Sequence, residues 1–578
     1  MAIGLVIAAT LGWRHLHPPA RPVPQTKTLP PPGALASHCQ DAIGEPRVEE
    51  IVDGVWVALA YDLANTILVR TTAGNVIIDP GMSPKRSAVT RAALLAKAPG
   101  PTLAIIYTHS HIDHVGGASA WADDGTPIWA TEGFVAHFLK QYSRFRPAEA
   151  RRGARQFGLH VDDATLPCSA LGRRIDLIAA AETGVLMPTK TFTGRTSFVV
   201  GGVTFELEEA HGETHDHLLV WLPQSRVLLP GDNYYRAFPN LYTIRGSAPR
   251  PVDAWIDSLD RMRRLQPEHL VPSHTAPLHG ASEIQTRLTR YRDGIQWVRD
   301  RVVRAGNAGA SLDEVAEDSG LPPALADEPA LQQLYGQLDW SARAIYVNHL
   351  GWFDGRAETL YPMPKAAVAE RTIRLMGGVE RVWQEIDATL PGEPRWALHL
   401  LALLRDAGAV PGEPGSRWAT AAAKAMEAIA ATVSNSNGRG YLAERAHELR
   451  HGMQALPQPR PTMALLQAIP TQAMFDTLET RLIPERSQGI HETVHFVFPD
   501  TKERYVVTIR NGIAETVAGQ PLPATPEPLA TVQCTSTLWR QLAAQLVEPA
   551  QAVANGDLEV SGSVTGFYTF MQRFADGI

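Results

Sequence analysis

Cysteine is scarce: Cys39, Cys168 and Cys534 are the only three in 578 residues, far apart and in no zinc-knuckle spacing. That scarcity argues against cysteine-ligated metal and against a disulfide framework. Charge of one sign is equally sparse. The chain has 53 Lys and Arg against 60 Asp and Glu, a formal net charge of −7 with no long single-sign block. That argues against a nucleic-acid binder working through a basic face. The apolar run Ala2 to Trp13 is too short for a membrane span, which needs roughly 20 residues. It has the length of a signal-peptide core and precedes a proline-rich linker, Arg14 to Gly33, without a basic n-region or a clean cleavage site. It is read as an atypical export signal or anchor, giving a periplasmic or secreted protein.

What is present is ordinary globular composition, 44% apolar and 20% charged. The length predicts three or four domains. After a leader and linker over 1–45, residues 46–282 alternate short strands and helices. Val55–Leu59, Asn65–Val69, Val76–Asp79 and Leu103–Tyr107 read as strands, and Pro84–Ala98 as a helix. Thr196–Val200 and Val203–Leu207 flank Gly201-Gly202, a two-residue hairpin signal. This pattern predicts an α/β sandwich of helix-covered sheets. Residues 283–457 turn helical, with a capping-box pattern at Ser311 to Glu314 and helical spacing over Arg395–Ala407 and Trp418–Val433. A proline-rich hinge, Leu456 to Pro461, leads into 458–578, a small α+β unit with no catalytic cluster.

The chemistry concentrates in Thr108-His109-Ser110-His111-Ile112-Asp113-His114-Val115-Gly116-Gly117, directly after an apolar strand. Three imidazoles and a carboxylate within six residues repel and dehydrate one another unless a cation compensates them. Neutral imidazole and carboxylate bind zinc without thiolates. A two-ion site needs about six or seven ligands with room for a shared hydroxide. Later positions suited to complete it are Glu213, flanked by His211, His215, Asp216 and His217, then Asp232 and His274. Asp79, ending its strand, is suited to hold a ligating histidine from behind.

The HxHxDH run and the later residues in this order resemble the metallo-β-lactamase fold hydrolases. Glutamate after Gly212, where many relatives carry histidine, resembles the class III alkylsulfatases in particular. Further similarities are Asn240 to Gly246 with Arg250 and Asp253-Ala254-Trp255, Gly351 to Gly355, and Met376-Gly377-Gly378. The resemblance implies an αββα sandwich, an all-α dimerisation domain and an α+β sterol-carrier-like domain. It implies one zinc on His109, His111 and Glu213, a second on Asp113, His114 and His274, and Asp232 between them. The family usually bridges with glutamate, so the shorter aspartate is a departure, and any of His211, His215 and His217 competes with Glu213 as ligand.

The resemblance also implies hydrolysis of alkyl sulfate esters such as dodecyl sulfate, with Asn240, Arg245 and Arg250 holding the sulfate, and a homodimer. Planar guanidinium forks suit that anion. Attack at carbon and attack at sulfur both remain open, as do primary and secondary alkyl preference. Tyr234, Tyr235, Phe238, Trp340, Tyr346, Trp352 and Phe353 are candidates to line an alkyl channel. Competing readings are a lactonase, thioesterase or phosphodiesterase of the same fold, and an amphiphile carrier with a structural metal.

Overall fold

The computed structural model describes residues 31–141, 145–176, 182–456 and 461–575. The apolar run Ala2–Trp13 lies outside them, as does most of its linker. Among the described residues no helix is long and apolar enough to cross a membrane.

Two sheets face each other in the first domain. One has seven strands in sequence order: β1 (Arg47–Val52), β2 (Val55–Leu59), β3 (Thr66–Arg70), β4 (Asn75–Ile78), β5 (Thr102–Ile106), β6 (Ile128–Thr131) and β7 (Lys190–Phe192). Pairing is antiparallel as far as β4 and parallel from β4 to β7. The other has six: β8 (Arg195–Val200), β9 (Val203–Glu209), β10 (Leu218–Leu222), β11 (Val227–Leu229), β12 (His269–Leu270) and β13 (Leu278–His279). Here β11 and β12 alone are parallel. The Gly201-Gly202 turn closes the β8–β9 hairpin with both φ positive, 48° and 84°, the conformation a two-residue hairpin demands.

Branched side chains from both sheets, among them Val57, Ile67, Ile78, Ile106, Leu207, Val220 and Leu229, form one dry core between them. Helices cover the outer faces. On the first sheet lie α1 (Pro84–Leu95), α2 (Ile112–Val115) and α3 (Phe134–Gln141), followed by α4 (Arg146–Gln156). Ser83 caps α1 through Arg86 N–H, with Pro84 in the first turn, worth about 1 kcal/mol. On the second sheet lie α5 (Val252–Leu265) and the long α6 (Ala281–Asn307). The result is the αββα sandwich.

The helical domain begins with the capping box at Ser311 and Glu314. Its hairpins include α7 (Pro394–Asp406), α8 (Arg417–Thr432) and α9 (Ser436–His451), packed through Leu400, Leu404, Trp418, Ala422 and Leu449. The last domain opens with α10 (Met463–Ala468) and builds a five-stranded sheet around Phe475, Phe496 and Trp539. Asn511 (φ 52°) and Gly512 (φ 75°) make its hairpin turn.

Cys39 and Cys168 form a disulfide, Cα atoms 5.9 Å apart across 129 residues of chain. There is no framework of bridges, but scattered cysteines did not preclude this one, because separation along a chain says nothing about separation in space. Closing so long a loop is worth about 5 kcal/mol on the chain-entropy account. Cys534 is free and buried.

Candidate metal centre and adjoining cleft

Strand ends build the site. The turns after β4, β5, β11 and β12 deliver Asp79, the His109–His114 run, Asp232 and His274 respectively. Ligands in α/β proteins gather at the carboxyl ends of parallel strands because backbone and side chains can converge there without breaking the sheet. Six donors meet as two groups, His109 with His111 and Asp232, and Asp113 with His114 and His274. Within each group the donor atoms lie within 4.8 Å of one another. Asp232 stands between the groups: Oδ2 lies 3.1 Å from His274 Nε2 and 3.8 Å from His109 Nε2, while Oδ1 lies 3.4 Å from His114 Nε2. His274 Nε2 is 3.5 Å from Asp113 Oδ2.

The far sides of these rings are anchored. His114 Nδ1 lies 2.8 Å from Asp79 Oδ2, His274 Nδ1 3.0 Å from the Leu63 carbonyl, and His109 Nδ1 3.0 Å from Thr108 Oγ1. Asp79 also accepts from Thr108 N–H, Thr108 Oγ1 and Ser273 Oγ at 2.7 to 2.8 Å. Its backbone φ is 54°, a left-handed conformation for a non-glycine residue, held by these bonds.

Electrostatics mark the place for a cation. Burial, then the neighbouring imidazoles, drives His109 well below its ordinary range; burial and then Arg245 and Arg250 do so for His111. Burial works against charge on His114 too, yet Asp232, Asp113 and Asp79 lift it well above that range. Asp113 falls to about 2, since His114 and His274 outweigh its burial. The carboxylates thus demand compensating positive charge. His114 Nε2 and Asp232 Oδ1 are shielded from solvent and have no hydrogen-bond partner, a costly state unless an ion completes them. The residues present therefore fit metal ions, and imidazole with carboxylate suits a zinc-like ion.

Glu213 lies beside the first group rather than in it. Its Oε1 is 3.8 Å from His111 Nδ1 and pairs with Arg250, Oε2 has no partner, and burial followed by Asp232 pushes the carboxyl up to about 7. None of the neighbouring histidines enters either group. His217 is buried, stacks on His109 at 5.0 Å and accepts the Asp232 N–H at 3.0 Å. His215 Nε2 meets the Pro249 carbonyl at 3.0 Å, and the His211 carbonyl accepts from Ser258. Asp216 accepts from Ser110 Oγ at 3.1 Å.

A cleft of about 440 Å³ opens from the metal groups, its polar end formed by His111, Asp113, Glu213, Asp232, His274, Asn240 and Arg245. Arg245 Nη2 is 3.5 Å from His111 Nε2, and Gln156 Oε1 accepts the Arg245 and Thr243 donors at 2.8 and 3.0 Å. Arg250 stands behind Glu213, with Nε and Nη2 buried and without partners. The apolar end is Phe138 and Leu139 of α3, Phe157 after α4, Ile175, and Leu465 and Ile469 of the last domain. None of the seven aromatics expected there lines it. Tyr234, Tyr235 and Phe238 are core, and Trp352 is 69% exposed. Tyr234, Phe238 and Tyr346 pack into the core with α6, and Tyr235 packs behind the cleft-lining Leu63, Met82, Leu171 and Tyr335.

Comparison with known proteins gives three matched family descriptions in chain order: Metallo-beta-lactamase superfamily over residues 61–274, Alkyl sulfatase dimerisation over 311–452, and Alkyl sulfatase C-terminal over 461–577. A linear primary-alkylsulfatase of Pseudomonas sp. (strain ATCC 19151) is 29% identical over 530 residues, spanning 88% of this chain and 98% of that protein. An (R)-specific secondary-alkylsulfatase of Pseudomonas sp. is 29% identical over 535 residues, 89% of this chain and 78% of that one. The solved structure of the stereoselective inverting sec-alkylsulfatase Pisa1 from Pseudomonas sp. superposes with a TM-score of 0.84 at 26% identity, covering 94% of this chain and 87% of that one.

Proposed function

Since the chain belongs to the alkylsulfatase family, we propose that it is a two-zinc hydrolase that converts alkyl sulfate esters to alcohol and inorganic sulfate. His109, His111 and Asp232 would hold one ion, with Glu213 alongside, and Asp113, His114 and His274 the other. Zinc bound there supplies Lewis acidity and brings the pKa of water towards neutrality. Every other part of the task falls to side chains. Arg245 presents a guanidinium to the sulfate oxygens and Asn240 adds an amide, whereas Arg250, expected to join them, does not line the cleft and pairs with Glu213 behind it. Stabilising the charge on departing sulfate is their main contribution. Phe138, Leu139, Phe157, Ile175, Leu465 and Ile469 shelter the alkyl tail.

The observation that carries this reading is one cleft holding converged metal donors, a guanidinium beside them and an apolar wall beyond. A lactone or thioester offers no comparable anion to Arg245. The experiment is sulfate release from dodecyl sulfate by purified enzyme, before and after chelation, with two zinc ions per chain counted in the active form. Arg245→Ala should lower kcat/KM roughly 10- to 150-fold, the worth of a charged hydrogen bond of about 1.5–3 kcal/mol. No sulfate release by fully metallated enzyme would remove the reading.

We further propose a homodimer and export from the cytoplasm. Leu350, Trp352, Tyr361 and Leu375, each 59% to 88% exposed in the helical domain, supply an apolar face of the kind a partner covers. Light scattering tests it: a monomer at micromolar concentration would refute it. The Cys39–Cys168 bridge supports an oxidising compartment. Protein alkylated at harvest should then show one free thiol per unfolded chain; three would refute export.

A further inference from the structure

The stripe Glu444, His447, His451 runs along one face of α9 and meets the turn after α4, where His160 lies. Glu444, 2% exposed, takes the His160 backbone N–H on Oε2 and lies 2.7 Å from His160 Nδ1 through Oε1. Nδ1 is thereby engaged by the carboxylate. A carboxylate behind an imidazole is the arrangement that orients and strengthens a metal ligand. His447 stacks on His160 with centroids 5.0 Å apart and 8° between planes, and its ring is 4.5 Å from that of His451. Its Nε2 is shielded from solvent and lacks a hydrogen-bond partner. None of these side chains touches the metal groups or the cleft described above.

Histidines four apart on a helix are spaced to chelate one ion. Their neighbours leave room for its charge. Arg450 is paired with Glu427 at 2.7 Å and Arg155 with Glu448 at 2.9 Å, while Arg439 donates to the Val433, Thr165 and Pro32 carbonyls. Burial, then His451, with His160 adding, lowers His447 against the pull of Glu444 and Glu448. Cavities of about 530 and 260 Å³ flank the stack and give an ion access.

We propose that His160, His447 and His451 form a further site for a zinc-like divalent ion, joining the helical domain to the catalytic one. The class follows from the donors: all-imidazole sets favour Zn²⁺, Ni²⁺ or Cu²⁺ over Mg²⁺ or Ca²⁺. Among the described residues only the active-site groups already bring their donors within 4.8 Å, so binding here turns His447 and the exposed His451 inward.

The test uses untagged full-length enzyme and its His447→Ala/His451→Ala variant, each equilibrated with excess Zn²⁺, desalted and analysed for metal. The wild type should retain one more zinc per chain than the variant. Its melting temperature should rise with Zn²⁺ past catalytic loading, and not with Mg²⁺, while sulfate release is the same in both. His451→Gln, at the exposed helix end, provides a second variant should the double one fold poorly, and should weaken the additional zinc at least tenfold. Equal zinc content and equal melting shifts in wild type and variants overturn the site.

Discussion

His114 Nδ1 lies 2.8 Å from Asp79 Oδ2, and neither side chain has any exposure to solvent. This pair ties the loop after β5 to the end of β4 and aims Nε2 of His114 at Asp232. Asp79 spreads one charge over donors from Thr108, His114 and Ser273, so it aligns two ligand-bearing turns at once. Asp79→Ala should lower metal affinity or activity 10- to 100-fold, while Asp79→Asn, which keeps one acceptor oxygen, should lose less. Zinc retained after dialysis, with sulfate release in parallel, checks it; full metal retention by the alanine variant would contradict this role.

Gly116 closes the ligand helix against the chain after β4. A Cβ there would stand 1.9 Å from the Met82 carbonyl oxygen. Its φ of −66° is ordinary, so the constraint is space and not backbone conformation. Gly116→Ala should destabilise by about 1–3 kcal/mol and shed metal through displacement of Asp113 and His114. A melting temperature within a degree of wild type would count against it.

Ile469 reaches the catalytic cleft from the last domain. Ile469→Ser should reduce kcat/KM for dodecyl sulfate about tenfold, in line with losing one apolar side-chain contact of about 1.5 kcal/mol. Butyl sulfate, with a tail eight carbons shorter, should change less than twofold. Equal losses on both substrates would show that the tail runs elsewhere.

Asp216 titrates at about 6 because burial opposes its charge more than its hydrogen bonds favour it. A carboxyl raised above its unfolded value near 3.8 keeps its proton in the folded state longer than in the unfolded one. Its cost is therefore absent below pH 4, appears as pH rises, and is complete above about 6. Asp216→Asn should match wild type near pH 4 and exceed it by about 2–3 kcal/mol near pH 7. Denaturant midpoints at the two pH values read this directly; a pH-independent difference would refute it.

Much of this was legible before any coordinates. The sandwich strands, the Gly201-Gly202 and Asn511-Gly512 hairpins and the Ser311 capping box all depend on local rules, namely alternation, positive φ and side-chain caps. The cleft's apolar wall was not legible. Phe138, Phe157 and Leu465 carry no chemical signature, and Leu465 lies between 191 and 356 residues along the chain from the metal-binding residues. No local signal marked the Cys39–Cys168 bridge or the His160–His447 stack either, for each joins distant segments.

The chain's own order of residues determined which chemistry is available: donors suited to a metal ion sit at strand ends because apolar runs precede them. Tertiary packing alone decided how those donors divide into two groups around Asp232. It also decided that Arg250 stands behind Glu213 and that another domain closes the cleft. The physical reason is range. Propensity and turn chemistry act over a few residues, whereas coordination, ion pairing and burial depend on distances that only the folded core sets.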